Sequence, residues 1–527
     1  MNDLQSFKEF ITKGYTFKGD SIILGTAIYN GEAVPNTHIK IPLRVMNRHG
    51  LIAGATGTGK TKTLQVIAEA LSEKSVPVLL MDIKGDLSGL AAASKGHPKI
   101  DERMNKIGLP FIPKAFPVEL LTISDEKGVR LRATVSEFGP VLFSKILELN
   151  DTQASYVSMI FKFCDDKDLP LLDLKDFKKV LNYVTNEGKK EIQDSYGRIS
   201  TSSLGTVLRK VIELEQQGAD LFFGEKSFEV DDLLRIDENG YGVISILRLT
   251  DLQDRPKLFS TFMLSLLAEI YSSFPEEGDL DQPKLVIFID EAHLIFDQAS
   301  KALLDQIETI IKLIRSKGVG IYFCTQNPTD VPDAVLSQLG LKVQHALRAF
   351  TAKDRKMIKL TAENYPLSEF YKTDKMLTSL GIGEAAITAL NEKGIPTPLA
   401  ATLLCAPKSR MDILTKAEIS KLIKSSKLIE KYNETIDRES AYEMLNEKLA
   451  EAKLREKETA GRTKTKKSRT PTRKRRVRKQ KSTFEEILSS PAAKQVGRTF
   501  VRELTRGILG VLGLGGTTRR RRRKSLF

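Results

Sequence analysis

Cysteine is scarce: Cys164, Cys324 and Cys405 are the only three in 527 residues, far apart and odd in number. They can build neither a disulfide framework nor a Cys-x-x-Cys metal site, and the pattern fits a reducing compartment. Long apolar runs are missing too, none approaching the roughly 20 residues a membrane-spanning helix needs. The opening MNDLQSFKEF has neither the basic start nor the apolar stretch of a secretory signal. The expectation is a cytoplasmic protein with no transmembrane segment. At 41% hydrophobic, the chain has enough apolar residues for two or three domains around an ordinary core.

Acidic residues are scarce in one place. Residues 453–527 hold twenty-five Lys and Arg against five Glu, a net of +20, which leaves residues 1–452 at about −5 out of the total of +15. The body is therefore mildly acidic and the basicity sits in a tail. Within 453–482 there are fifteen basic and two acidic residues and no aromatics, so a nucleic-acid contact there would be electrostatic and indifferent to sequence. An anionic membrane, an acidic protein or plain solvation are the other readings of such a tail.

Along the chain, residues 1–45 carry short β-like runs broken by NGEAVPN, a small N-terminal β segment. RHGLIAG, TKTLQVIAEALSEK and VPVLLMDIK then read as strand, helix and buried strand, opening an α/β core over 46–124. Residues 125–235 are helix-rich and polar, a helical insertion. Over 236–410 the core resumes with YGVISILRL, KLVIFID, GVGIYFCTQ and KVQHALRAF. A charged helical segment spans 411–460, a basic, disordered linker 461–482, and a basic segment 483–527 that places Arg498, Arg502 and Arg506 on one amphipathic face, expected to dock on the rest of the protein.

The stretch GATGTGKT, residues 54–61, matches the full G-x-x-x-x-G-K-[ST] phosphate loop between a strand and a helix. Gly54, Gly57 and Gly59 let backbone N–H groups turn inward around phosphate oxygens, with Ala55, Thr56, Thr58 and Lys62 completing the cradle. Lys60 reaches the β and γ phosphates and Thr61 offers a hydroxyl to Mg²⁺, so ATP and Mg²⁺ are the expected cofactors. In KLVIFIDEAH, Asp290 ends an apolar strand where a metal-holding acid belongs, and Glu291 is placed to orient or deprotonate the attacking water. The competing reading is that both acids cap the following helix. His293 fits packing better than catalysis. Gln326, closing GVGIYFCTQ, is either a polar sensor of the γ-phosphate or a turn residue of TQNPTD. Asp82, closing VPVLLMD, either meets the metal or caps the KGD turn.

DEAH suggests a helicase with two ATPase domains, but a second domain with a Q-R-x-G-R type motif is missing. A lone domain of this kind takes its arginine from a neighbouring subunit, so oligomerisation is expected, with Arg315, Arg348 and Arg48 as candidates.

The ordered set GATGTGKT, MDIKGDLSG, FIDEAH, RSKGVG, TQNPTDVPDAVLSQLG and RAFTAKD, with RHG before the loop and GEAAIT late, resembles the HerA/FtsK group of P-loop ATPases, particularly its HerA-like YjgR branch, over about residues 20–407. The resemblance implies a RecA-like core, a homo-oligomeric ring, commonly a hexamer, and movement of double-stranded DNA through its pore. It implies the roles above for Lys60, Thr61, Asp290, Glu291 and Gln326, raises Asp82 as an active-site acid, and marks Arg315 as the group's arginine. The N-terminal β segment is short beside the barrel of HerA proper, and no partner nuclease is identified. The expectation is an ATP-hydrolysing ring motor on DNA; a nucleotide-gated assembly switch is the alternative from another class.

Overall fold

A computed structural model of the chain describes residues 3–252, 255–278, 280–296, 301–434, 436 and 438–464. The basic linker beyond residue 464 and the amphipathic segment at 483–527 lie outside the described residues. Among the described residues no helix is long and apolar enough to cross a membrane.

The chain divides into two compact units, one of residues 1–132 with 226–435 and one of 133–225 with 436–527. The first is built on a single twelve-stranded sheet: β1 (Ser21–Tyr29), β2 (Glu32–Pro42), β3 (Gly50–Ala53), β4 (Val78–Asp82), β5 (Val118–Thr122), β6 (Val129–Arg130), β7 (Ile244–Arg248), β8 (Leu285–Ile289), β9 (Val319–Thr325), β10 (Leu341–His345), β11 (Glu384–Thr388) and β12 (Ala400–Leu404). Their order is β2-β1-β12-β11-β10-β3-β9-β8-β4-β7-β5-β6. From β10 to β6 all neighbours are parallel. From β10 to β2 they are antiparallel. This is an α/β fold with a mixed, mostly parallel sheet.

The sequence dictates this division. β3, β4, β8 and β9 are buried at every position, as parallel strands covered on both faces must be, and they are the continuous apolar runs. The N-terminal hairpin β1–β2 extends the same sheet, because Gly25 pairs with Leu404 where a Cβ would lie 2.0 Å from the Leu403 carbonyl oxygen. Only glycine permits that approach. The helix Lys60–Glu73 turns Leu64, Ile67, Ala68 and Leu71 into the main core.

The second unit is helical, with Val135–Ile146, Asp151–Asp166, Leu174–Thr185, Lys189–Tyr196, Thr201–Gln216 and Ala441–Lys464. Phenylalanines form its centre: Phe143 lies 4.8 Å from Phe177 and Phe138 lies 5.0 Å from Phe223, ring centre to ring centre. Thr134, Asn150 and Asp173 each start a helix through a reciprocal capping box. Asp176 accepts from the Ser440 hydroxyl at 2.5 Å and the Tyr442 N–H at 2.9 Å, which anchors the start of the last helix.

Candidate nucleotide site

Parallel strands in register deliver their carboxyl ends to one edge, and that edge carries the motifs. Ala53 pairs with Thr325, Phe323 with Ile289, and Ile289 with Met81. The residues that follow, Gly54, Gln326, Asp290 and Asp82, therefore emerge side by side. β3 and β8 are separated by β9 alone, so the phosphate loop and the acid pair face each other across two strand spacings, about 10 Å.

The loop is held open by its backbone. Gly54, Gly57 and Gly59 have φ of 152°, 78° and 109°. A Cβ on Gly54 would lie 2.5 Å from the His345 Cβ, so this position requires glycine for space as well as for conformation. Gly54 N–H donates to the Thr325 carbonyl at 3.3 Å and Ala55 N–H to the Ala346 carbonyl at 3.0 Å, which ties the loop to β9 and β10. Thr58 carbonyl accepts from Gly383 N–H at 3.0 Å, and Arg103 fixes that turn by donating to the Gly383, Leu404 and Ile382 carbonyls. His345, fully buried, sits 2.9 Å from the Thr63 hydroxyl through Nε2. Burial drives its pKa down to about 4, so behind the loop it is a neutral, positioning ring.

The helix after the loop begins at Gly59 with no side-chain cap. Its first-turn N–H groups and its dipole are thus available to an anion. The Lys60 ammonium, buried, turns back onto the carbonyl oxygens of Gly54 at 2.7 Å and Ala55 at 3.2 Å. Burial, then the nearby Lys84, depress its pKa, with Glu291 and Asp290 opposing. Thr61 is partly buried in the first turn, and Thr56 and Gly57 are exposed at the tip. The Lys62 ammonium is spent elsewhere, on the Met411 carbonyl at 2.5 Å and Gln65 Oε1 at 3.2 Å, leaving its backbone to the cradle.

Opposite, Asp290 and Glu291 are 3% and 6% exposed. Asp290 Oδ2 has no hydrogen-bond partner among the described residues. Burial above all pushes its carboxyl up to about 6, with Lys84 opposing and Glu291 adding. Glu291 adopts a left-handed backbone, φ 47°, rare for a residue with a side chain and of the kind that gathers at working sites. Its Oε1 meets the Lys84 ammonium, and its Oε2 has His293 Nδ1 at 3.2 Å without hydrogen-bond geometry. The described residues of the helix that follows are His293–Phe296.

The oxygens of Asp82 are engaged by the turn that follows it. Oδ1 accepts from the N–H groups of Gly85 at 2.7 Å and Asp86 at 3.2 Å, and Oδ2 from that of Leu87 at 3.1 Å. It caps the KGD turn. Burial nevertheless pushes its carboxyl up to about 7, and Asp290 and Asp86 contribute. Gln326 is exposed at the end of β9, and the loop after it is fixed by Asp330, whose Oδ2 accepts from Thr325 Oγ1 at 2.5 Å and Asn327 N–H at 3.1 Å.

The arginines divide between the two edges. Arg315 opens the short turn Arg315–Lys317 just before β9, at the amino edge, and Arg48 ends the turn Leu43–Arg48 just before β3 on the same edge. With β9 seven residues long, Arg315 lies about 20 Å from its own chain's phosphate loop. Arg348 follows β10 on the carboxyl edge and donates weakly to the Thr378 carbonyl at 3.4 Å. Sequence reasoning gave no role to Lys84, His345, Arg103 or Gly383. A lysine directly after the carboxyl end of β4, inside DIKGD, was the one available signal for Lys84.

The residues present fit a magnesium nucleotide: an uncapped helix start, a glycine cradle that a Cβ would fill at Gly54, a buried ammonium borrowing loop carbonyls, and a buried carboxylate oxygen without a partner.

Comparison with known proteins bears on the family and the fold. The chain is 25% identical over 358 residues to the DNA double-strand break repair helicase HerA of Sulfurisphaera tokodaii, covering 67% of this chain and 64% of that protein. It therefore spans just under two thirds of that relative's length. It is 24% identical over 382 residues to a probable helicase of Methanocaldococcus jannaschii, covering 69% and 67%. Among solved structures, the plasmid coupling protein TrwB in complex with a non-hydrolysable ATP analogue matches with a TM-score of 0.50 at 15% identity, over 77% of this chain and 95% of that one, a likeness of fold. The helicase HerA-like C-terminal family model matches residues 28–521, and the chain belongs to that family.

Proposed function

We propose that the protein is an ATP hydrolase of RecA-like architecture that works as a ring of identical subunits and moves along nucleic acid, double-stranded DNA being the first substrate to test. The observation that carries the reading is the pairing, across β9, of an uncapped phosphate loop with two buried acids, each having one oxygen with no hydrogen bond among the described residues. The family membership and the helicase relatives support the same direction.

In this reading the N–H groups of residues 54–62 and the Lys60 ammonium hold the phosphates, Lys60 leaving the Gly54 carbonyl to do so. Thr61 and Asp290 would hold magnesium, which when bound with ATP would neutralise charge on the phosphate oxygens. Asp82 serves by fixing the turn beside Asp290. Glu291 accepts a proton from the attacking water, and Gln326 orients that water. No arginine candidate on the amino edge can reach its own chain's phosphates, so Arg315 serves a neighbouring copy. The basic tail adds salt-sensitive contacts to nucleic acid.

The test is ATP turnover of the full chain with and without double-stranded DNA, single-stranded DNA and RNA. Stimulation by DNA supports the motor; turnover indifferent to all three, with assembly that changes between ATP and ADP, supports a switch. Glu291→Gln is expected to keep nucleotide bound while cleavage falls about 100-fold or more. Mixing inactive Arg315→Ala with inactive Glu291→Gln is expected to restore partial turnover, and a fully active monomer in sedimentation contradicts the shared site.

A further inference from the structure

The acid pair already has a cation of its own. The Lys84 ammonium contacts Glu291 Oε1 and lies 4.0 Å from Asp290 Oδ2. Its side chain is 39% exposed while those acids are 4% and 8% exposed, so the lysine reaches in from the solvent side.

Its backbone is not free to wander. Three N–H groups of the turn converge on Asp82, and Gly85 has φ of 75° with space only for hydrogen, a Cβ there falling 2.7 Å from Thr250 Cγ2. A rigid turn thus carries a flexible four-carbon stem with a point charge at its end, suited to moving between partners. The alternative partner is near: the acids that Lys84 contacts stand across β9 from the phosphate loop that the Lys60 ammonium lies against, so Lys84 borders the gap in which phosphates would lie.

Two adjacent buried carboxylates need a counter-charge, since their mutual repulsion is strong away from water. We propose that Lys84 is a positioning residue that supplies this charge before nucleotide arrives, holding Glu291 so that it cannot take a proton from water, and that releases it when the terminal phosphate draws the ammonium away. Nucleotide arrival and release of the base are then one event, and futile activation of water is suppressed in the empty site. This deepens the ATPase reading and rests on it.

The test compares wild type, Lys84→Met and Lys84→Arg, full length, by thermal unfolding with and without millimolar MgCl2 and no nucleotide. Wild type and Lys84→Arg are expected to shift by less than about 1 °C with Mg²⁺, and Lys84→Met to melt lower and recover by about 3 °C or more. In turnover, Lys84→Met is expected to lose about 10-fold in kcat with KM changed less than about 3-fold. In a Glu291→Gln background the same substitution is expected to cost little, a double-mutant test that also serves if Lys84→Met alone does not fold. A Lys84→Met protein that answers Mg²⁺ as wild type does overturns the proposal, as does Lys84→Arg behaving like Lys84→Met, or Lys84→Met failing to fold in both backgrounds. Binding of Mg²⁺ with a non-hydrolysable ATP analogue to wild type reports separately on the ATPase reading, so the two can fail independently.

Discussion

Two buried acids, Glu69 within the helix Lys60–Glu73 and Asp290 after β8, are satisfied by the chain to different degrees. Glu69, on the outer side of the helix Lys60–Glu73, is 3% exposed and fully occupied: it accepts from Lys408 N–H at 2.8 Å, from Ser409 N–H at 3.1 Å and from the Ser409 hydroxyl. Gln65 adds a bond to Ser409 Oγ at 2.6 Å, and Lys408 pairs with Glu73 at 2.8 Å. Residues 408–411 thereby strap the outer face of the helix. Asp290, equally buried across β9 from the helix's start, has an oxygen with no hydrogen bond among the described residues and only the Lys84 ammonium at 4.0 Å. The first acid is fully hydrogen-bonded by the chain; the second leaves one oxygen without a hydrogen bond among the described residues. Burial depth alone separates neither, and the hydrogen-bond account separates both.

The two acids should differ most in ATP turnover. Asp290→Asn is expected to lower ATP cleavage by about 100-fold or more and to leave the ligand-free protein no less stable, since it removes a poorly compensated charge. If instead it unfolds the protein, Asp290 belongs with Glu69. Glu69→Ala should do the reverse: it strands three donors at a cost of about 2–3 kcal/mol, read as a lower denaturant midpoint, while nucleotide affinity changes less than about 3-fold. Next in size is Gly54→Ala, which meets both a φ of 152° and the His345 contact; nucleotide affinity is expected to fall about 10-fold by direct titration.

The smallest effect is one of pH. Burial pushes the Glu69 carboxyl up to about 7 against the bonds from Ser409 and Lys408, from an ordinary value of 4.5. The folded protein therefore holds a proton that the unfolded chain has lost between those values, so this group's contribution is fully present below about 4.5 and is lost as pH rises to about 7. Stability of wild type should fall on the order of 1 kcal/mol across that window for this reason, and Glu69→Gln should flatten the fall.

The sequence made one part of this readable and hid another for physical reasons. Motifs that sit at the ends of buried strands, GATGTGKT after β3 and DEAH after β8, combine a run of apolar residues with an abrupt polar exit, and both survive as local patterns. The parallel core followed from the same runs. The antiparallel end did not: β1 pairs with β12 more than 370 residues away, and nothing local in SIILGTAIY names its partner. Asp82 was open between two roles because a carboxylate before a glycine turn serves either, and the three N–H groups that converge on it appear only once the turn is folded. Arginines were equally ambiguous, since their edge depends on whether they precede or follow a strand whose direction the sheet decides. Lys84 carries no periodicity, and its meaning lies entirely in the neighbours that β4 and β8 give it.

The account turns on what fills the gap between the loop and the acids. A structure determined with Mg²⁺ and a non-hydrolysable ATP analogue tests it most directly. The prediction is that Lys60 Nζ has left the Gly54 carbonyl for the phosphates, with the metal on the side of Asp290 Oδ2. Nucleotide bound elsewhere, or Lys60 still resting on Gly54 with the analogue present, would contradict it.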